Sequence, residues 1–359
     1  MSQIAICIGS IVIYWSSIVI ALGVAVCCLL TYSLYSANNG GKSKGLLVMF
    51  PIAIVLSVVL ARLIHWYCHH EQYTSLMSAL FDYSTGDYCL CGVFMGVILA
   101  VLIVKGLRLI EDSGKVFDAL VPGSILGIAL IRLSAMFNTS CRSKIVVENE
   151  AFQRLPFATG TVINGEMEYR FATFFAEFLV LLVLFVIMMG MYNRRKDWPM
   201  KGDTRQSGHI GLLFLVFYSA LIVVSDSTRY DSSYLPINGF VSFVQVLGAF
   251  CLVGGMTYYM IRSVKANGVN WKQIVLLVIF LGCVGGTGYL EYLVQRHGDW
   301  YLMCYSLMSL TCFMMALTIY LMYRTVCLPK KQVKAMRMAA AEAAAAEAAG
   351  YTFEAADGE

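Results

Sequence analysis

Arg132 lies in the run Ile-Arg-Leu-Ser-Ala-Met-Phe-Asn, residues 131–138, within a stretch that is otherwise apolar from 117 to 137. A charge at that depth in a membrane is costly, so it usually faces a polar cavity, a partner or a charged substrate. Asn138 closes the same run. Arg62 and His65 stand near one end of an apolar stretch, Cys91 and Gly92 open another, and Glu177, Tyr218 and Asp226 sit in two more. Arg229 is three residues after Asp226, which makes the two neighbours if a helix continues through both. Arginines, a carboxylate and aromatics at one depth suit an anionic lipid headgroup, because the planar guanidinium binds phosphate oxygens at two points. The same cations would stabilise charge building on a departing phosphate. Plainer roles compete: snorkelling for Arg62 and His65, an interfacial ion pair for Asp226 and Arg229, and packing for Cys91.

The elements that must hold these residues are transmembrane helices. Hydrophobic residues make up 59% of the 359-residue chain and charged residues 13%; the mean hydropathy is +0.72. That composition excludes an ordinary soluble enzyme. Nine apolar stretches are long enough to cross a bilayer, at 5–33, 46–67, 91–110, 117–137, 171–191, 208–225, 239–261, 273–290 and 301–323. The first lacks a basic leader and reads as an uncleaved span. With the N-terminus outside, the inner loops and tail hold 18 Lys and Arg and the outer loops 6. This is a positive-inside signal that places the C-terminus in the cytoplasm. The fold expected is therefore all-α, a polytopic transmembrane helical bundle of about nine spans. The net charge of +4 follows that topology and attraction to anionic membrane lipids, and does not point to nucleic acid.

Cys91 aside, seven of the twelve cysteines fall within apolar stretches. Cys68, Cys89, Cys91 and Cys141 gather at the outer face, where a disulfide is possible but its pairing is not given by spacing. The Cys-x-Cys at 89–91 has no second pair, so a metal is not expected, and no cofactor is implied. Two long outer segments, 68–90 and 138–170, sit where function concentrates in loops. Gly92/Gly96 and Gly123/Gly127 have the spacing that lets helices approach closely. After Tyr323 the chain turns basic and then alanine-rich, which predicts a cytoplasmic helix.

In order and spacing, residues 1 to about 265 resemble bacterial prolipoprotein diacylglyceryl transferases, a family of seven-span envelope enzymes. Ile-Tyr-Trp-Ser-Ser (13–17) is similar to the Ile-Arg-Trp-Tyr-Gly start of the family's first core helix. Ala-Arg-Leu-Ile-His-Trp-Tyr (61–67) resembles its Gly-Arg-Leu-Gly-Tyr stretch, and Cys-Gly-Val-Phe-Met-Gly (91–96) its His-Gly-Gly-Leu-Ile-Gly helix. Asp118 through Asn138 follows its Asp-x-x-x-Pro…Gly-Arg-x-Gly-Asn-Phe-x-Asn signature. Ala176-Glu177 resembles a Tyr-Glu pair, and Gly208 through Arg229 a Gly-x-x-x-Gly-Leu-Phe…Glu-Phe-Phe-Arg segment.

The resemblance implies transfer of diacylglyceryl from phosphatidylglycerol to the lipobox cysteine thiol of a prolipoprotein signal peptide, at the bacterial inner membrane. It assigns Arg132, Asp226, Arg229 and Cys91 to catalysis, and Arg62, Gly92, Asn138, Glu177 and Tyr218 to substrate binding. Departures from the pattern fall at Cys91, where the family has histidine, and at Ser16, Ala135, Ile222 and Asp226. A base for the thiol would then be Asp226 or a loop histidine, His69 or His70; Cys91 as a nucleophile is the other option. The chain divides into a transferase-like core at 1–265, an extra transmembrane hairpin at 266–325 and a basic, alanine-rich tail at 326–359. The rival to catalysis is a silent paralogue that binds lipid or membrane partners in the same cavity. A transporter is disfavoured by the lack of clear internal repeats and interrupted helices.

Overall fold

The structure, a computed structural model, describes residues 3–8, 11–38, 43–81, 88–137, 143–163, 165–194, 207–230, 232–235, 241–296, 300–328, 338 and 342. Asn138, Cys141 and nearly all of the tail lie outside the described residues, and so do the expectations placed on them. Among the described residues the cysteines are free thiols.

The chain opens with a β-hairpin, β1 (Ile4–Ile8) paired antiparallel with β2 (Ile11–Tyr14), and only then enters α1 (Trp15–Asn38). The first span was expected to run from residue 5. Its start instead reflects β-branched Ile4, Ile6, Ile11, Val12 and Ile13, which favour extended backbone over a helix. Next come α2 (Lys44–Cys68), the short α3 (Leu76–Phe81), α4 (Leu90–Gly106) and α5 (Ser113–Ser134). The segment after α5 carries the single-turn α6 (Glu150–Gln153) and a second hairpin, β3 (Ala158–Ile163) with β4 (Glu166–Phe171). Gly165, between β3 and β4, has φ +89°, a conformation that glycine adopts without penalty. Four long helices complete the chain after α7 (Thr173–Asn193): α8 (His209–Ser227), α9 (Phe243–Asn267), α10 (Trp271–Arg296) and α11 (Tyr301–Val326).

Among the described residues, eight helices of at least 18 residues are long and apolar enough to cross a membrane; α4, with 17, is a shorter apolar helix. The molecule is an all-α polytopic membrane bundle. Leu29, Val186, Phe250 and Val278 are more than half exposed, as lipid-facing side chains must be where acyl chains replace water.

Close packing fixes the helices that carry the polar residues. α2 and α4 meet through glycine: a methyl on Gly92 would overlap the backbone of Ala61, and one on Gly96 would lie 2.5 Å from Ser57 Cα. α1 and α5 approach in the same way at Gly23 and Gly127. α5 is the hub, packed against α1, α7 and α8. Its buried Asp118 accepts backbone N–H groups of Gly208 (2.8 Å), Ile210 (3.0 Å) and Gly211 (3.0 Å), so a side chain of α5 caps the N-terminus of α8. That carboxylate satisfies amides that have no partner within their own helix.

Candidate functional site

Polar side chains gather inside the bundle at the end of α5 and α8 nearest the β3–β4 segment. Arg132 of α5 and Glu177 of α7 form an ion pair, Nε to Oε2 at 2.6 Å. Tyr218 of α8 and Arg229, just past α8, lie within electrostatic range of Arg132. Asp226, one turn before Arg229, is within range of both arginines and of Glu177. Cys91 at the start of α4 faces Cys89, Asp226 and Cys251. Arg132, Glu177, Tyr218, Asp226, Arg229 and Cys91 therefore form one connected cluster drawn from four structural segments.

Arg62 is almost fully buried and sits under the ring of Tyr88, 5.2 Å from its centroid. It follows Ala61, the residue whose backbone contacts Gly92, so the α2–α4 glycine contact sets its position beside Cys91. His65, for which snorkelling was the plainer of two readings, is buried and binds the Tyr73 hydroxyl through Nδ1 at 2.9 Å. It stacks on His69 with ring centroids 4.4 Å apart.

Asp226 and Arg229 do not share a continuous helix. α8 ends at Ser227, and Arg229 stands in an isolated bridge with Ser143. The turn still keeps them close, since Arg229 N–H donates to the Asp226 carbonyl at 3.1 Å. Phe94 and Phe214 wall Tyr218 at ring-centroid distances of 5.3 and 5.8 Å.

Four residues of this cluster keep hydrogen-bonding capacity in reserve. Among the described residues, Arg132 Nε, both Glu177 oxygens, the Tyr218 hydroxyl and Asp226 Oδ2 are buried without a hydrogen-bond partner. The Arg132–Glu177 pair meets by distance but out of hydrogen-bond alignment. Buried polar groups are almost always satisfied in native proteins, so a group of such atoms at one place is a candidate position for a ligand, an ion or ordered water to supply the partners. With Arg62 counted on the flank of the cluster, three arginines stand against two carboxylates, an excess that suits an anion. No group of three or more metal-ligating side chains occurs among the described residues.

Two neighbours of the cluster were not among the sequence-derived candidates. Ser242 caps α9 in a reciprocal capping box with Gln245 and also faces Asp226; the Ser-x-x-Gln spacing was the legible signal. Tyr88 lies in a polar loop, where nothing in the sequence ties it to Arg62.

A family model described as prolipoprotein diacylglyceryl transferase matches residues 3–261. Three curated relatives carry the name phosphatidylglycerol–prolipoprotein diacylglyceryl transferase. That of Oceanobacillus iheyensis is 25% identical over 242 residues, which cover 66% of this chain and 79% of the relative. That of Listeria innocua is 24% identical over 271 residues, covering 74% and 92%. That of Dehalococcoides mccartyi is 29% identical over 242 residues, covering 65% and 84%.

Proposed function

The chain belongs to the prolipoprotein diacylglyceryl transferase family, and on that premise we propose that it moves the diacylglyceryl group of phosphatidylglycerol onto the lipobox cysteine thiol of a prolipoprotein signal peptide. The observation that carries this reading is the set of unsatisfied polar atoms on Arg132, Glu177, Tyr218 and Asp226 inside an apolar bundle. A lipid phosphate entering from the membrane would meet arginines there without crossing water.

In this reading Arg132 and Arg229 hold the phosphate, with Glu177 orienting Arg132 and Tyr218 donating its hydroxyl. The acceptor thiol gives its proton to the Asp226 carboxylate. The thiolate sulfur attacks the glyceryl carbon that bears the phosphate ester. A C–S bond forms, the C–O bond breaks, and glycerol phosphate leaves with the electron pair. The arginines act on charge that develops at the departing oxygen, while Asp226 acts as the base. In this reading the attacking thiol is the substrate's, and Cys91, with Cys89 and Asp226 as neighbours, serves packing. Arg62 flanks the cluster from α2, and Gly92 lets α2 and α4 approach closely enough to hold it there. The charge distribution between loops supports a bacterial inner-membrane protein with its N-terminus outside and C-terminus in the cytoplasm.

The test is to incubate the purified protein with phosphatidylglycerol and a synthetic lipobox peptide, and to look for the diacylglyceryl adduct by mass spectrometry. The expected result is an adduct that disappears in Arg132→Ala and Arg229→Ala. Absence of adduct from the wild type, beside an active family member, would overturn the reading and favour a protein that only binds lipid.

A further inference from the structure

α10 and α11 lie beyond residues 3–261, the stretch that the family model matches. Both nevertheless reach the turn that carries Asp226 and Arg229. Ser227, the last residue of α8, donates its Oγ to Glu291 Oε2 of α10 at 2.6 Å. The Ser227 carbonyl accepts the Tyr305 hydroxyl of α11 at 3.0 Å. Gln295 Nε2 holds the other Glu291 oxygen at 3.0 Å. Ser227, Glu291 and Tyr305 are all buried.

The carbonyls on either side are also held. The Asp226 carbonyl accepts Ser232 Oγ at 2.6 Å. The Thr228 carbonyl accepts Lys144 N–H at 2.7 Å and Ser143 Oγ at 3.1 Å. Carbonyls at the end of a helix lack intrahelical partners, and here three in succession are bound by three separate parts of the chain. The middle one depends on the C-terminal hairpin alone among the bonds named.

We propose that the α10–α11 hairpin is part of the site, and that Glu291 and Tyr305 are positioning residues that fix Asp226 and Arg229 through Ser227. The proposal rests on the transferase reading above. Neither residue needs to touch substrate. Between them they hold the side chain and the carbonyl of the residue next to Asp226, which sets the direction in which that carboxylate and Arg229 face the cavity. Catalytic groups displaced by about 1 Å can lose roughly a hundredfold in rate, so such contacts are legible in turnover.

The experiment uses the full chain, with Glu291→Ala, Glu291→Gln and Tyr305→Phe assayed for adduct formation at saturating phosphatidylglycerol and peptide. Glu291→Ala and Tyr305→Phe are expected to lower kcat by roughly tenfold to a hundredfold. Glu291→Gln, whose amide oxygen still accepts from Ser227, is expected to recover most of the rate. Wild-type kcat in Glu291→Ala would overturn the proposal. So would a Gln variant as impaired as the Ala variant with a parallel fall in melting temperature, which is the signature of lost packing alone. Should the wild type give no adduct, the transferase reading fails, and the positioning role is then read from the rise in melting temperature on adding phosphatidylglycerol. A rise that persists in Glu291→Gln and shrinks in Glu291→Ala supports the positioning role. Equal rises, or none in the wild type, overturn it.

Discussion

Arg132 on α5 and Glu177 on α7 approach to 2.6 Å within the bundle, yet neither Glu177 oxygen completes a hydrogen bond among the described residues. The two helices are thus joined by charge while the carboxylate keeps lone pairs free. An arginine held in this way is neutralised enough to stay buried and open enough to accept a second anion.

Removing one partner leaves the other as an uncompensated buried charge, which costs about 3–5 kcal/mol. Glu177→Ala and Arg132→Ala should each lower the melting temperature in detergent clearly. The double variant Arg132→Met/Glu177→Met should recover much of that loss while forming no adduct. A double variant less stable than both singles would show that the pair contributes more than mutual neutralisation.

Arg132→Lys keeps the charge but loses the planar fork. If phosphate is gripped at two points, adduct formation should fall by roughly tenfold or more with the melting temperature little changed. Unaltered turnover would mean that a point charge suffices.

Asp226→Asn preserves shape and removes the base. We expect kcat to drop by about a hundredfold or more while phosphatidylglycerol still raises the melting temperature. Retained turnover would move the proton acceptor elsewhere, to the alternative named from the sequence, a loop histidine at His69 or His70.

Gly92→Ala should force α2 and α4 apart, because the added methyl overlaps the Ala61 backbone, and should destabilise the fold by about 1–3 kcal/mol. Gly254→Ala on α9 meets open space and serves as the control, with no loss expected. The readout is the thermal midpoint of each variant in the same micelle.

Asp118→Ala would strip three amides of their acceptor at the start of α8. At about 1 kcal/mol for each unsatisfied group, the loss should be roughly 2–4 kcal/mol, again read from the thermal midpoint. A shift indistinguishable from zero would mean that the interfacial environment replaces the carboxylate.

The spans were legible because hydropathy over about 20 residues is a long, redundant signal. Arg132, Glu177 and Asp226 stood out because charge in such a stretch is rare. The residues before Trp15 were misread as helix because a short, β-branched apolar run looks alike in both structures until its pairing partner is known. The end of α8 was legible to within two residues, 225 against Ser227, but the partners from 143–144 and from α10 and α11 that hold the turn beyond it were hidden, since none of them is local in sequence. Glu291 carried a usable signal, a carboxylate at the end of an apolar stretch, but its role depends on a contact 64 positions away.

The Asp118 cap also joins two elements that are synthesised at different times. A ribosome delivers α5 about 90 residues ahead of the start of α8, as the Asp118–Gly208 contact spans. The acceptor for those three amides has therefore already been synthesised when they emerge. A circularly permuted chain that emitted α8 first would present bare amides to the translocon. Its yield in membranes, measured against that of a permutation elsewhere, would report how far insertion relies on that sequence of events.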